Sequence, residues 1–313
     1  MTLLYYDPRF LDHETGSHPE RARRLSVVAE HLEAIGLDQR CERPAWEPVA
    51  QERVARVHSL DYVEALRQVA AEGGGRIEAD TVVSPQSYEV ARLATGSVCD
   101  AVERVVRGED AQALCLVRPP GHHALKSGAM GFCLLNSIAV AARVATEELA
   151  LDRVLIVDWD VHHGNGTQDA FWRDPQVGFL SIHRWPFYPG TGAADETGSG
   201  PGLGTIRNLP VEYGTPRASY LSRFAHELEE FAARFKPQLV LVSAGFDGHR
   251  EDPIGSLDLE TEDFRELTRV VLDVAAVHCA GKIVSALEGG YHPRALAESV
   301  EAHLSELLDR GDG

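Results

Sequence analysis

An α/β fold built on a parallel sheet is predicted by two features of this sequence: short β-branched runs that are apolar throughout, and helical patterns that lie between them. The runs are Ala113 to Val117, Val154 to Val157, Val177 to Ile182, Leu239 to Val242 and Ile283 to Leu287. A strand covered by helices on both sides has no wet face, so it lacks the apolar/polar alternation of a half-exposed strand. The start of the chain, from Met1 to Tyr6, reads as a further short strand ended by Asp7-Pro8; it has neither the basic start nor the long apolar centre of a secretory signal. Ser84-Pro85 reads as the cap and first-turn proline of a helix that continues through Val90, Leu93, Ala94, Val98, Ala101, Val102 and Val105. Further helices are expected over 138–149, 218–235 and 261–278. Two irregular stretches stand out: 72–84, with its three consecutive glycines, reads as a segment that caps an edge or rims a pocket, and 185–214, rich in Gly and Pro, as a functional or disordered loop.

At 313 residues, length alone allows one large domain or two ordinary ones. No linker, repeat or low-complexity segment divides the chain. Hydrophobic residues at 44% and charged residues at 25% are the balance of a protein with a sizeable core, which excludes general disorder. The net charge of −18 repels phosphate backbones and anionic lipid, so direct nucleic-acid binding and membrane association are not expected, whereas cationic substrates are attracted. No apolar run approaches the ~20 residues of a membrane span. The five cysteines (Cys41, Cys99, Cys115, Cys133, Cys279) are scattered with no CxxC pair, which suits a reducing, cytoplasmic setting better than a disulfide framework.

Each buried run is followed at once by residues a core would not choose. Arg118-Pro119-Pro120-Gly121-His122-His123 follows the first, and Asp158-Trp159-Asp160-Val161-His162-His163-Gly164-Asn165 the second. Ser181-Ile182-His183, Ser243-Ala244-Gly245-Phe246-Asp247 and Glu288-Gly289-Gly290-Tyr291 complete the set. Ligands of open parallel sheets bind beyond the carboxyl ends of the strands, so these clusters are expected to converge.

Asp160 and His162, two apart on an extended segment, project to one side, and Asp247 can add a third ligand. Two carboxylates and an imidazole with open positions suit a catalytic zinc or a similar divalent ion; an isolated Asp-x-His pair is a weak signal that more often reads as exposed loop polarity. His122 and His123 follow a rigid Pro-Pro-Gly turn and are either ordinary loop histidines or a proton-transferring pair suited to work near neutral pH. Asp158 and Asn165 can each orient one of the two rings. Tyr291, after Gly289-Gly290, is either a packed tyrosine or a hydroxyl donor to a developing oxyanion. Trp185, Phe187, Tyr188 and Phe132 are candidates for an apolar channel, while His183, His249 and His292 are not taken as ligands. The glycine-rich 198–204 segment does not follow a strand and open a helix, which argues against a nucleotide loop. No Gly-x-Ser-x-Gly elbow is present.

These motifs, together with His18-Pro19-Glu20, Gly131-Phe132-Cys133 and Tyr188-Pro189-Gly190-Thr191-Gly192, resemble in order those of the histone deacetylase superfamily, which includes acetylpolyamine amidohydrolases and class II-like bacterial deacetylases. The resemblance implies the arginase/deacetylase fold, a single domain over 1–313 around a parallel sheet of about eight strands flanked by helices. It implies a zinc site of Asp160, His162 and Asp247, with His123 as general base and acid, His122 as its electrostatic partner and Tyr291 as the donor that polarises the carbonyl. It further implies a structural potassium ion held by Asp158, the backbone oxygens of Asp160, His162 and Ile182, and the Ser181 hydroxyl. Phe132 and Tyr188 become tunnel walls, the Gly131 carbonyl a receptor for the substrate amide, and Arg24 a lining residue of an internal exit channel. Asn165 resembles class II and bacterial members, where class I has Asp; Tyr291 is kept where some class II enzymes carry His. Leu135, Ser137 and Tyr188 depart from commoner residues and bear on substrate fit.

The implied reaction is zinc-dependent removal of acetyl or another short acyl group from N6-acyl-lysine in a protein or peptide, with an acetylated polyamine as the rival substrate. Ile254, after Asp252-Pro253, offers no carboxylate to select a second ammonium, which favours acyl-lysine. A binuclear manganese ureohydrolase would need further bridging carboxylates, and a non-catalytic acyl-lysine reader predicts a broken ligand set; neither matches the residues present. Ligands drawn from the middle and late parts of the chain must meet at one metal, which favours one domain.

Overall fold

The computed structural model describes residues 2–311. Its strands are β1 (Thr2–Tyr5), β2 (Cys41–Glu42), β3 (Gly75–Glu78), β4 (Thr81–Val83), β5 (Gln112–Cys115), β6 (Val154–Asp158), β7 (Val177–Arg184), β8 (Ile206–Val211), β9 (Leu239–Ala244) and β10 (Ile283–Leu287). Its helices are α1 (Ala22–Ala34), α2 (Gln51–Val54), α3 (Leu60–Ala71), α4 (Ser87–Arg107), α5 (Ser137–Glu147), α6 (Asn165–Phe171), α7 (Arg217–Phe235), α8 (Thr261–Cys279) and α9 (Pro293–Gly311). Eight strands form one sheet in the order β2-β1-β5-β10-β9-β6-β7-β8, and every neighbouring pair is parallel. The five apolar runs are its central strands, buried along their length because helices pack on the sheet. One group of helices joins α4 to α5, and another runs α1-α9-α8-α7.

The first strand ends as expected: the Asp7 side chain accepts from the Arg9 backbone N–H at 2.8 Å and caps a 3-10 turn over Pro8–Asp12. Met1 lies outside the described residues. Helix α4 starts later than Ser84-Pro85, because the Ser84 backbone N–H donates to Ser87 Oγ at 2.7 Å and the chain turns there before the helix begins.

Both stretches read as irregular contain strands. Residues 72–84 form an antiparallel hairpin of β3 and β4. Within 185–214, β8 pairs in parallel with β7 at the sheet edge. An edge strand tolerates Pro210, which cannot donate to a ladder, and leaves Arg207 to pair with Glu227 on α7; this mixture hides the strand from a pattern search.

Candidate active site

The five polar clusters sit at the carboxyl ends of β5, β10, β9, β6 and β7, five adjacent strands. Cross-links between strand ends hold them in register. Phe246 N–H donates to the Gly289 carbonyl at 3.0 Å, and Glu288 N–H to the Ala244 carbonyl at 3.0 Å. The Gly166 and Thr167 N–H groups at the start of α6 donate to the His122 carbonyl, which docks Asn165 beside the histidine pair.

Asp160, His162 and Asp247 are buried, with one ligand atom from each within 4.8 Å of the others. His162 Nδ1 lies 3.1 Å from Asp160 Oδ1 and 3.1 Å from Asp247 Oδ2. The remaining carboxylate oxygens accept backbone donors: Asp160 Oδ2 from Gly289 N–H at 2.8 Å, Asp247 Oδ1 from Val161 N–H at 2.9 Å. Position 289 must be glycine, since a Cβ there would strike both carboxylates. Burial and the Asp160 charge push the Asp247 carboxyl up to about 7. A divalent cation between the groups would relieve that repulsion, and two carboxylates with an imidazole fit the implied zinc. A second trio, His122, Cys133 and Glu288, is equally close but already engaged: Glu288 Oε2 accepts from Gly121 and His122 N–H, and Cys133 Sγ–H donates to the Gly131 carbonyl.

The two histidines are adjacent in sequence and opposite in electrostatics. His122 Nδ1 lies 3.0 Å from Asp158 Oδ2; burial disfavours its cation, but Asp158, Asp160 and Glu288 outweigh it and raise the ring to about 10. His123 Nδ1 lies 2.7 Å from Asn165 Oδ1, a neutral partner. Burial, then the His122 and His162 rings, hold His123 well below the ordinary range. His123 is therefore neutral at pH 7 with Nδ1–H donated to Asn165, which leaves Nε2 free to take a proton.

A cavity of about 230 Å³ opens onto this floor, lined by Asp80, His123, Gly131, Phe132, His162, Phe187, Tyr188, Ile254 and Tyr291. The Phe187 ring stacks on His162 at 5.2 Å, Tyr188 meets His123 edge-on at 5.3 Å, and Phe132 meets Tyr291 edge-on at 5.7 Å. Gly131 has φ +55°, and a Cβ there would hit the His123 ring. Burial raises the Tyr291 hydroxyl well above its ordinary value; Arg24 opposes the shift and Asp247 and Asp160 add to it, so the group stays a donor. Arg24 is buried with its guanidinium 4.7 Å from the Tyr291 ring centroid, and donates to the Gly290 and Glu288 carbonyls.

Of the other residues singled out in the sequence, Asp158 and Ser181 are paired neighbours across β6 and β7, with Ile182 next along the strand. Ser181 Oγ also bonds His183 Nδ1 at 2.9 Å. Trp185 does not line the cavity; its N–H bonds to the Val211 carbonyl. His183, His249 and His292 lie outside both groups that could hold a metal among the described residues. Asp80 lies in the 72–84 stretch read as a pocket rim but was not singled out: it directly precedes β4, and its Oδ1 accepts from Gly131 N–H. Glu288 and Asp252 were also given no role by sequence reasoning, yet each accepts backbone N–H groups from a turn that carries a site residue.

A parallel-sheet α/β protein with a trio of side chains that could hold a metal, a buried histidine pair and a tyrosine at the base of a narrow cavity has the features of an amidohydrolase of the deacetylase type. The histone deacetylase domain model matches residues 18–307, and the chain belongs to that family, whose members are hydrolases acting on amide bonds. It is 40% identical over 312 residues to an uncharacterized protein of Synechocystis sp., covering 98% of this chain and 100% of that one. It is also 40% identical over 302 residues to the human polyamine deacetylase HDAC10, covering 92% of this chain and 44% of the human protein. The crystal structure of the HDA15 HD domain superposes with a TM-score of 0.93 at 38% identity, over 98% of this chain and 88% of that one. Among the described residues no helix is long and apolar enough to cross a membrane.

Proposed function

We propose that the chain, acting as one catalytic domain over 1–313, removes acetyl or other short acyl groups from N6-acyl-lysine side chains of peptides or proteins. The observation that carries this reading is the neutral His123 beside the Asp160-His162-Asp247 trio and Tyr291, all at the base of one cavity with mostly apolar walls. At about 230 Å³ the cavity falls below the ~300–1,000 Å³ of ordinary ligand pockets, which suits a slim aliphatic chain.

Asp160, His162 and Asp247 would hold one zinc ion, which supplies Lewis acidity at the scissile carbonyl. His123 Nε2 takes the proton of the attacking water while Asn165 fixes the ring through Nδ1. His122, kept cationic by Asp158, favours the developing negative charge. The Tyr291 hydroxyl donates to the oxyanion, and the protonated His123 then delivers its proton to the departing amine. Gly131 offers its carbonyl to the substrate amide; Phe132, Tyr188 and Ile254 enclose the chain. A structural potassium ion is assigned to Asp158 and Ser181 with the backbone oxygens of Asp160, His162 and Ile182. Free thiols at all five cysteines suit a reducing, cytoplasmic setting.

The human relative's name indicates a polyamine substrate, which makes an acetylated polyamine the second reading. Ile254 at the cavity wall favours acyl-lysine, because residue 254 itself gives a distal ammonium no carboxylate, and the carboxylate on the lining, Asp80, is tied through Oδ1 to Gly131 N–H. Turnover measured on an acetyl-lysine peptide, on longer acyl-lysines and on acetylputrescine decides between them. Higher kcat/KM on the peptide is expected; a preference for acetylputrescine would replace this substrate reading.

A further inference from the structure

Tyr291 follows two glycines, so its own stretch of backbone does little to fix it. What fixes it comes from elsewhere in the chain. Asp252 is 8% exposed, and its carboxylate accepts three backbone N–H groups from two walls of the cavity. Oδ1 accepts from Ile254 N–H at 2.9 Å and Gly255 N–H at 3.0 Å, closing a local turn that sets Ile254 against the cavity. Oδ2 reaches across to Tyr291 N–H at 2.6 Å. A carboxylate can do this because both of its oxygens are acceptors and it carries no hydrogen to clash with a third donor. An amide has one acceptor oxygen, and its NH₂ would face an N–H group on one side or the other.

Resting on the reading of Tyr291 as donor to the substrate carbonyl, we infer that Asp252 is a positioning residue that sets the Tyr291 hydroxyl at its working place through the backbone of residue 291, and couples that place to the Ile254 wall. The contribution is geometric. Misplacing a reacting group by about 1 Å can cost about 10²-fold, and Arg24 and Asp160 hold residues 288–290 while only Asp252 holds the N–H of residue 291 itself, so that one charge-assisted hydrogen bond has real leverage on turnover.

Asp252→Ser separates the two links, since a serine hydroxyl can still accept from the Ile254 or Gly255 N–H and is too short to reach Tyr291. Acetyl release from an acetyl-lysine peptide is measured for D252S, Y291F and the double variant, each loaded with zinc and checked for metal content and thermal midpoint. The expected result is a kcat loss of about tenfold or more for D252S with KM within about threefold, and no further kcat loss when D252S is added to Y291F. Wild-type kcat in D252S, or a full multiplicative loss in the double variant, overturns the inference, because a merely structural carboxylate would lower activity in either background. Near-wild-type activity of Y291F instead removes the role of Tyr291, and this inference with it, by a separate observation. If the serine variant does not fold, Asp252→Asn, which keeps the volume and loses one acceptor, is read by the same cycle.

Discussion

The floor of the site and its walls are built by opposite rules. On the floor, charged groups are buried and each is fixed by others: Asp160 and Asp247 accept backbone N–H groups, Asp158 faces His122, and Asn165 faces His123. The walls are rings and an aliphatic side chain on loops, Phe132, Phe187, Tyr188 and Ile254, and the three rings rest against residues below them, Phe132 on Tyr291, Phe187 on His162 and Tyr188 on His123. A buried charge without its partners is costly, so the floor admits little change. An apolar wall can be redrawn at the scale of a few methylenes, so the difference separates reaction type from substrate choice.

The floor breaks most completely at Asp247. Asp247→Ala removes a carboxylate from the trio, and deacylation is expected to fall by about 10³-fold or more with loss of bound zinc, read by metal analysis of the purified protein beside an acetate-release assay. Retained metal and activity would remove Asp247 from the ligand set.

Tyr291→Phe tests where floor and wall meet. A loss of about 10²-fold or more in kcat with metal retained is expected, the effect of removing one oxyanion donor. Turnover near that of the parent would sink the assignment.

The pH profile sharpens the contrast between the two histidines. His123 has a depressed value in the folded protein, so it is already a neutral base at pH 6.5 and loses activity only as pH falls through that lower value. The acid limb of kcat/KM should therefore lie below pH 6.5. Asn165→Asp places a carboxylate on the ring, favours its cation and should move that limb upward by about one unit or more. An unmoved limb would mean that another group controls it.

The smallest effect belongs to the wall. Ile254→Glu is expected to shift the ratio of kcat/KM for acetylputrescine over acetyl-lysine peptide by about three- to tenfold toward the polyamine, with zinc content unchanged. A change of the same size in both substrates would show that residue 254 serves packing alone.

The floor was legible in the sequence because its residues stand immediately after buried runs, where polar side chains have no reason to be unless a site needs them. Asp160, His162, Asp247, His122, His123 and Tyr291 all come from such positions, and the fold brings them to one place. The periodicity failed at the sheet edge and the cavity rim. Strand β8 carries Arg207 and Pro210, and the β3–β4 hairpin begins on the last of three glycines with Arg76 and Glu78 in its first strand, so neither shows a long apolar run. Trp185 looked like a wall residue because aromatic content alone cannot say which ring turns inward. Asp252 and Glu288 left no signal of their role, since each works on backbone N–H groups that are near it only once the chain is folded.

Acetate release from an N6-acetyl-lysine peptide, followed through chelation and zinc return, tests the central reading most directly. About one zinc per chain is expected in the active protein, with loss of activity when the metal is removed and recovery on adding one equivalent back. Undiminished deacetylation by the metal-free protein, or none by the fully loaded one, would contradict it.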